Sequence, residues 1–285
     1  ASQVLPNILD PEMAVYVKKH LLNAGIRVIT GTSAEQILGT DKVTGVKTSA
    51  GTLSCEMLIM AAGIRPNTAF LEGTGIEMFK GTILVDGQMK TSVDDVYAAG
   101  DCVMVTNRIT GKRQWSPMGS SANLEGRTLA QVLAGAQKTF PGVLGSGVVM
   151  LPGVIVGRSG LTEAQAREAG YDVETVLVPT DDKAHYYPDA SFFITKLIAD
   201  RATRKLLGIQ VFGPGEVDKM VDIAVMGINM GAVLEDFENA DFAYAPPFST
   251  AIHPFVQAVY VLMNKLDGTF VSMTPAEYAA GKAEG

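Results

Sequence analysis

The residues with the clearest chemical meaning close the segment 91–101, TSVDDVYAAGD. Ala-Ala-Gly at the end of a strand lets a ligand approach bare backbone, because these residues carry little or no side chain. The carboxylate of Asp101 follows Gly100 directly and could accept hydrogen bonds from two vicinal hydroxyls, as found in a ribose or a ribitol. A Gly-Asp pair is also common in ordinary turns, so the dipeptide alone leaves both interpretations open.

Two further motifs frame this segment along the chain. Residues 60–67, MAAGIRPN, predict a second strand end built of small residues, and residues 117–123, PMGSSAN, predict the start of a helix. The free N–H groups and the positive dipole end of such a helix start can hold an oxyanion or an electron-rich ring edge. All three motifs in this order are hard to obtain by chance.

Together with LDPEMA near the start, the motifs AAGIRPNT, VYAAGD and YAPPFS resemble the FAD-dependent pyridine nucleotide-disulfide oxidoreductases. The resemblance is to the branch that contains coenzyme A-disulfide reductases, NADH oxidases and NADH-dependent persulfide reductases, and it runs from Pro6 to about Lys265. It implies an enzyme that passes a hydride from NADH or NADPH to FAD, and on to a disulfide, a coenzyme A-linked persulfide or oxygen. The alternatives are a dimerising or binding module without turnover and, within the same family, an NADH oxidase or a reductase of small electron-carrier proteins.

The resemblance also implies which residues contact the cofactor and the substrate. Asp101 corresponds to the acid that holds the flavin ribitol, and the helix start corresponds to the one aimed at the flavin pyrimidine edge. Asn123 lies where some relatives contact coenzyme A. The implied cofactor contacts are Gly100, Asp101, Met118, Gly119, Ser120 and Ala122.

Three tyrosines resemble those that reach across a homodimer to the redox centre of the partner: Tyr244 in YAPPFS, and Tyr186 or Tyr187 in HYYPDA. The proline pair 246–247 stiffens the backbone after Tyr244, so its phenol would be delivered in one geometry. It could then donate a hydrogen bond to a thiolate or a flavin oxygen. The alternative for each tyrosine is an aromatic ring that packs against a loop.

Some features of the family are not found in this sequence. No G-x-G-x-x-G follows a strand, so the glycine cradles for FAD and the nicotinamide cofactor, and the redox cysteine, are expected upstream of Ala1. The chain is therefore expected to be the C-terminal part of such an enzyme and inactive alone. Cys55 and Cys102 do not match the catalytic position and are interpreted as structural thiols. His253 precedes Pro254, which predicts a helix cap rather than a catalytic base.

Composition excludes several other classes of function. The chain has 23 Lys and Arg against 30 Asp and Glu, so its net charge of -7 repels a nucleic-acid backbone. Two cysteines and three histidines cannot make a disulfide framework or a four-ligand zinc site. The longest apolar run, 148–156, is broken by Pro152 and Gly153, which argues against a membrane span. A reducing, metal-free cytoplasmic location fits best.

The predicted fold class is α/β followed by α+β. Partial nucleotide-binding segments, typical of flavoproteins with two dinucleotide-binding domains, precede a C-terminal α+β dimerisation domain with an antiparallel sheet. By the resemblance, residues 1–64 are the back half of an NAD(P)H-binding domain and 65–142 the second segment of an FAD-binding domain. Residues 143–268 are the dimerisation domain, and 269–285 a tail or linker.

Local patterns predict the elements that position these residues. Capping residues mark helices after Asp10 and after Thr162, and the helix after the PMGSSAN motif is expected to turn Ala122, Leu129, Val132 and Leu133 inward. The first half is predicted to contain strands at 26–30, 35–38, 43–48, 52–55, 57–63, 83–86, 88–91 and 95–98. The second half is predicted to contain strands at 148–156, 173–178, 192–199 and 206–212, and helices at 216–230 and 254–266.

Overall fold

The computed structural model describes residues 1–281, which divide into two units. The first unit is Ala1–Ile64 with the described residues after Thr274, and the second is Arg65–Thr274. Among residues 1–281, no helix has the length and apolar character needed to cross a membrane.

The first unit opens with helix α1 (Pro11–Asn23), as the capping pattern predicts. Pro11 occupies the first helical turn, and Met13, Ala14 and Val17 form the buried face. Strands β1 (Ala34–Leu38), β2 (Gly45–Thr48) and β3 (Gly51–Ser54) follow as an antiparallel meander in sequence order. These elements confirm the helix and the strand pattern predicted between 35 and 55.

Two predicted strands of this unit are wrong. Residues 26–30 and 57–63 have no regular structure, and Ile59 in the second run is 81% exposed although a buried strand was expected. A strand exists only where a neighbour completes its ladder of hydrogen bonds, and no strand among residues 1–281 pairs with either segment. The apolar composition of these segments predicted burial, but burial also requires a neighbouring surface to pack against.

A four-stranded mixed sheet begins the second unit. Its strands are β4 (Met78–Phe79), β5 (Thr82–Leu84), β6 (Val103–Thr106) and β7 (Arg113–Trp115), in that order across the sheet, preceded by a 3-10 helix at Ala69–Leu71. β5 and β6 run parallel and the other pairs antiparallel. Helix α2 (Gly119–Leu133) follows β7 directly, and its Leu129 packs against the core of this sheet.

The strands predicted at 88–91 and 95–98 are replaced by turns, with a single bridge between Lys90 and Tyr97. The reason is local: the carboxylate of Asp86 accepts hydrogen bonds from the N–H groups of Gln88 and Lys90, and Met89 has a φ of 65°. An aspartate that bonds to the backbone ahead of it competes with a ladder. The VYAAGD motif therefore ends in a turn before β6, not in a regular strand.

A five-stranded antiparallel sheet forms most of the remaining unit. Its strands are β8 (Gly147–Leu151), β9 (Val154–Gly160), β10 (Val173–Asp181), β11 (Phe192–Asp200) and β12 (Leu206–Gly213). They lie in the order β10-β11-β12-β9-β8 across the sheet. The run 148–156 is a hairpin rather than the single predicted strand, because Pro152 and Gly153 make the turn between β8 and β9, with a φ of 73° at Gly153.

The helices that follow are α3 (Glu163–Glu168), α4 (Val217–Met230), α5 (Glu235–Glu238), α6 (Pro254–Leu266) and α7 (Pro275–Ala279), the last of which belongs to the first unit. Two of them cover one face of the five-stranded sheet and create the main core. Helix α4 packs on β9 and β12, α6 packs on β10 and β11, and buried residues such as Leu197, Ile209 and Val259 fill the space between the layers. Thr162 and Gln165 form the predicted capping box of α3.

Candidate functional site

The Gly100–Asp101 turn precedes β6 and is closed by a 3.0 Å hydrogen bond from the N–H of Val103 to the carbonyl of Gly100. Gly100 has a φ of 94°, a conformation that favours glycine. The Asp101 side chain is exposed and accepts no hydrogen bond from residues 1–281. Its carboxylate is therefore free to bind a ligand.

Two hydrogen bonds fasten the backbone of this turn. The N–H of Gly100 donates to Oε2 of Glu125 at 2.7 Å, and Nε1 of Trp115 donates to the carbonyl oxygen of Asp101 at 2.7 Å. The first bond ties the turn to α2 and the second ties it to β7. The exposed carboxylate thus projects from a backbone that is held on both sides.

The start of α2 lies against the same turn. A Cβ built on Gly100 would be 3.8 Å from the Cβ of Ala122, in the first turn of the helix. Met118 is the N-cap and provides no side-chain hydrogen bond to the helix, while Gly119 and Ser120 are exposed. The structure therefore brings the predicted cofactor residues together at an uncapped helix N-terminus.

The remaining residue predicted on α2, Asn123, is exposed and lies on the outer face of the helix. Its Nδ2 donates to the carbonyl oxygen of Gly119 at 2.7 Å, which leaves its Oδ1 accessible. With Gly126, Arg127 and Ala130 it lines an open groove. Its contact with coenzyme A stays a prediction.

The two tyrosine motifs meet in the second unit although they are far apart in sequence. The N–H of Ala184 donates to the carbonyl oxygen of Pro246 at 3.3 Å and joins the two loops. Tyr186 is 67% exposed and its ring centroid lies 5.4 Å from that of Tyr187, which is half-buried. Tyr244 is 52% exposed, so its phenol is available to another molecule.

Tyr244 also lines a partly open cavity of about 300 Å³ beside the start of α6. Ser249 is buried there, and its hydroxyl has no hydrogen-bond partner in the described part of the chain. His253 shares the cavity and caps α6, with its Nδ1 accepting the N–H of Phe255 at 3.2 Å. Burial, helped by the charge of Lys219, lowers the pKa of His253 to about 4. The imidazole is neutral at pH 7 and serves as the predicted cap.

Comparison with known proteins identifies the family. Residues 1–124 match the sequence profile of the pyridine nucleotide-disulphide oxidoreductases, and residues 148–255 match the dimerisation domain of the same proteins. The chain belongs to this family.

Individual members of the family are similar to this chain over most of its length. An NAD(P)H coenzyme A polysulfide/persulfide reductase of Pyrococcus horikoshii is 36% identical over 86% of the chain and 54% of its own length. An NAD-dependent persulfide reductase from A. fulgidus superposes with a TM-score of 0.92 and 37% identity, over 99% of this chain and 52% of its own. An FAD-dependent pyridine nucleotide-disulphide oxidoreductase from Desulfovibrio vulgaris has a TM-score of 0.77 and 32% identity, over 93% and 63%. The chain spans little more than half the length of these relatives.

Glu125 is a residue of the candidate site that the sequence patterns missed. Its side chain is 1% exposed, and burial raises its pKa to about 6, with the Gly100 N–H opposing this rise and the Asp101 charge adding to it. The expectation that Leu133 faces inward is wrong: it is 64% exposed. Glu125 is in helical phase with Ala122 and Leu129, so an acid on the inward stripe was the available signal.

The thiol nearest to the candidate site has the properties of a structural cysteine. Cys102 is half-buried and its Sγ lies 3.7 Å from the carbonyl oxygen of Ala99. Burial raises its pKa, and the charges of Glu125 and Asp101 raise it further. It is therefore a protonated, weakly nucleophilic thiol at pH 7, in agreement with the sequence interpretation. Cys55 follows β3 as a free cysteine.

Proposed function

We propose that this chain supplies the flavin ribitol site and the dimerisation domain of an FAD-dependent NAD(P)H oxidoreductase. The enzyme would pass a hydride from NADH or NADPH through FAD to a persulfide or disulfide linked to coenzyme A. The observation that carries this proposal is the exposed Asp101 carboxylate, which projects from a fastened turn beside the uncapped start of α2. Its relatives' names, which include persulfide reductases and an FAD-dependent oxidoreductase, support the same chemistry.

The residues of the turn fit a flavin cofactor. A carboxylate with unused oxygens can accept hydrogen bonds from two hydroxyls of the ribitol chain, and no protein donor competes for Asp101 in the described residues. A Cβ built on Gly119 meets no atom within 4 Å, so the approach to the helix start is open. When bound, FAD would accept the hydride from NADH or NADPH and pass its two electrons on to the sulfur acceptor.

The chain's own residues would orient the cofactor and exclude alternative poses. Asp101 would fix the ribitol, while the N–H groups and the dipole of the first turn of α2 would face the electron-rich edge of the flavin ring. Because Gly100 carries no Cβ, the flavin could approach the backbone of the turn closely. Gly119, Ser120 and Ala122 would form the surface under the ring edge.

We further propose that the second copy of this chain completes the site. The match to a dimerisation domain supports a homodimer, and exposed apolar side chains provide surface for it: Met226, Met230, Phe248 and Ile252. The linked loops that carry Tyr186, Tyr187 and Tyr244 would present their phenols to the redox centre of the partner. Asn123 would contact the coenzyme A portion of the substrate.

FAD titration of matched aspartate variants of the full-length protein tests the flavin site. Asp101→Asn and Asp101→Ala should weaken FAD binding by about tenfold or more, because a bond to a charged group is worth about 1.5–3 kcal/mol. Asp95→Asn, which alters another exposed acid of the same segment, should bind FAD like the wild type. Equal affinity of all variants would remove Asp101 from the cofactor site, and a colourless dimer without FAD affinity would favour the binding module.

The acceptor is identified by NADH oxidation by the full-length protein in the presence of FAD, with and without oxygen. We expect oxidation to depend on a coenzyme A disulfide or persulfide and to continue when oxygen is removed. Oxidation that requires oxygen and ignores the sulfur compounds would assign the chain to an NADH oxidase.

A further inference from the structure

Glu125 is a buried carboxylate with an unusual set of partners. It is 1% exposed, and no Lys, Arg or His among residues 1–281 forms an ion pair with it. Its hydrogen-bond partner is the N–H of Gly100, at 2.7 Å. Buried carboxylates are usually paired with a cation, because removal of the charge from water is costly. An acid kept in such a place needs a reason beyond packing.

The position of this hydrogen bond suggests the reason. Gly100 is adjacent to Asp101, and its N–H is the point at which α2 holds the turn. On the other side, Trp115 holds the carbonyl of Asp101. If the bond to Glu125 is lost, the turn keeps its attachment to β7 but can rotate away from α2, and the carboxylate of Asp101 moves with it.

We propose that Glu125 is a positioning residue for the flavin site: its carboxylate holds the Gly100 N–H so that Asp101 presents its oxygens to the ribitol. This inference rests on the proposed function. It assigns the residue that sets the geometry of the site, whereas Asp101 contacts the cofactor. A glutamine at the same position retains an amide oxygen that can accept the same N–H, whereas an alanine cannot.

Because Glu125 can gain or lose a proton, its positioning of Asp101 should depend on pH. The titratable groups that face Glu125 are Asp101 and Cys102, both on the turn. The charge of Asp101 raises the pKa of Glu125, and the charge of Glu125 raises the pKa of Cys102. The ionised carboxylate makes the stronger, charge-assisted bond to Gly100. FAD should therefore bind more tightly above the pKa of Glu125, which is about 6, and more weakly below it.

Two measurements on the full-length protein test the proposal. In the ligand-free protein, hydrogen exchange of the Gly100 amide should accelerate by about tenfold or more in Glu125→Ala and by less than about threefold in Glu125→Gln. In FAD titrations, the same alanine variant should bind about tenfold more weakly. The wild-type dissociation constant should rise as the pH falls through about 6, whereas that of Glu125→Gln should stay flat in this range.

A half-buried glutamate with a buried partner provides the control for a general loss of stability. Glu163 bonds to Lys196, which is 1% exposed, in the sheet of the dimerisation domain. Glu163→Gln should lower stability without changing FAD affinity or Gly100 exchange.

The outcomes separate the two proposals. If Glu163→Gln weakens FAD as much as Glu125→Ala does, or if Gly100 exchange is the same in all variants, Glu125 has no positioning role. If the full-length wild-type protein binds no FAD, the flavin proposal fails, and accelerated Gly100 exchange alone then decides whether Glu125 positions the turn.

Discussion

Nε1 of Trp115 donates a 2.7 Å hydrogen bond to the carbonyl oxygen of Asp101, so the single tryptophan of the chain holds the backbone of the residue proposed to bind ribitol. Trp115 is the last residue of β7, and its pairing with Met104 of β6 fixes its backbone. The indole therefore holds the turn in a fixed position relative to this edge of the sheet. This contact links the mixed sheet to the candidate site without using any charged group.

Trp115→Phe should loosen the turn while a ring remains at the sheet edge. The loss of one neutral hydrogen bond costs about 1 kcal/mol, which corresponds to roughly fivefold weaker FAD binding. Flavin fluorescence measures the affinity, and circular dichroism must follow unfolding because the variant has no tryptophan. Unchanged FAD affinity in this variant, with clear binding by the wild type, would show that the indole does not position Asp101.

Glu125 should make the stability of the chain fall as the pH rises. Its pKa is about 6 in the folded chain against 4.5 for an ordinary glutamate, so the folded state favours the protonated form. The resulting stabilisation is complete below 4.5 and is lost as the pH rises through about 6; a shift of this size corresponds to about 2 kcal/mol.

Urea unfolding of the wild type and Glu125→Gln at a series of pH values isolates this contribution. Glu163 and Glu174 have lowered pKa values: burial raises them, but bonds to Lys196 and Lys265, respectively, outweigh burial, so these groups act in the opposite direction. They are common to both proteins and cancel in the difference. The wild type should lose about 2 kcal/mol relative to the variant between about pH 4 and pH 7. A constant difference would contradict the raised pKa.

Tyr244→Phe should separate a chemical role from a packing role. The side chain is 52% exposed, so the free energy of unfolding should change by less than about 0.5 kcal/mol. If the phenol donates a hydrogen bond at the redox centre of the partner, reduction of the sulfur acceptor should slow by about tenfold or more. Tyr278→Phe alters another exposed tyrosine, at 70%, and serves as the control. Equal rates for both variants would remove Tyr244 from the mechanism.

Local signals in the sequence predicted most of the C-terminal sheet and its helices. The capping box at Thr162 and Gln165, strands β10, β11 and β12 and the helix begun by Pro254 were all predicted because each has a short-range cause. The strand expected at 148–156 is instead a hairpin, and those expected at 88–91 and 95–98 are turns. The strands at 26–30 and 57–63 were wrong because burial depends on a partner surface that the residues do not encode. The local rules are strongest where structure closes within a few residues.

The candidate site could be predicted only in part from the sequence for the same reason. Asp101 and the start of α2 were predicted from motifs, and the structure places the turn against Ala122. The bonds from Trp115 to Asp101 and from Gly100 to Glu125 join residues 14 and 25 positions apart in the chain. Helical phase places Glu125 on the inward stripe of α2, but no sequence pattern identifies the partner of either side chain. Turn chemistry at Asp86 also replaced the expected strands before the site. Contacts at such separations depend on tertiary packing.

A pair of helix glycines should respond with opposite signs to alanine. A Cβ on Gly227 of α4 would lie 2.7 Å from Cε1 of Phe237 and closer still to Cζ, whereas a Cβ on Gly126 of α2 would meet no atom within 4 Å. Phe237 is itself fixed edge-on against Phe255, with ring centroids 5.1 Å apart. Gly227→Ala should therefore destabilise the chain by about 1–3 kcal/mol. Gly126→Ala should stabilise it by about 0.5–1 kcal/mol, because alanine loses less backbone entropy in a helix.

Urea unfolding of both variants checks the signs, and a double variant checks the cause. Phe237→Leu removes the edge of the ring, so Gly227→Ala should cost less in that background than in the wild type. If Gly227→Ala is equally destabilising with and without the ring, the close packing of α4 on Phe237 is not the reason for the glycine. If it stabilises the chain as Gly126→Ala does, α4 lies farther from Phe237 than the structure places it.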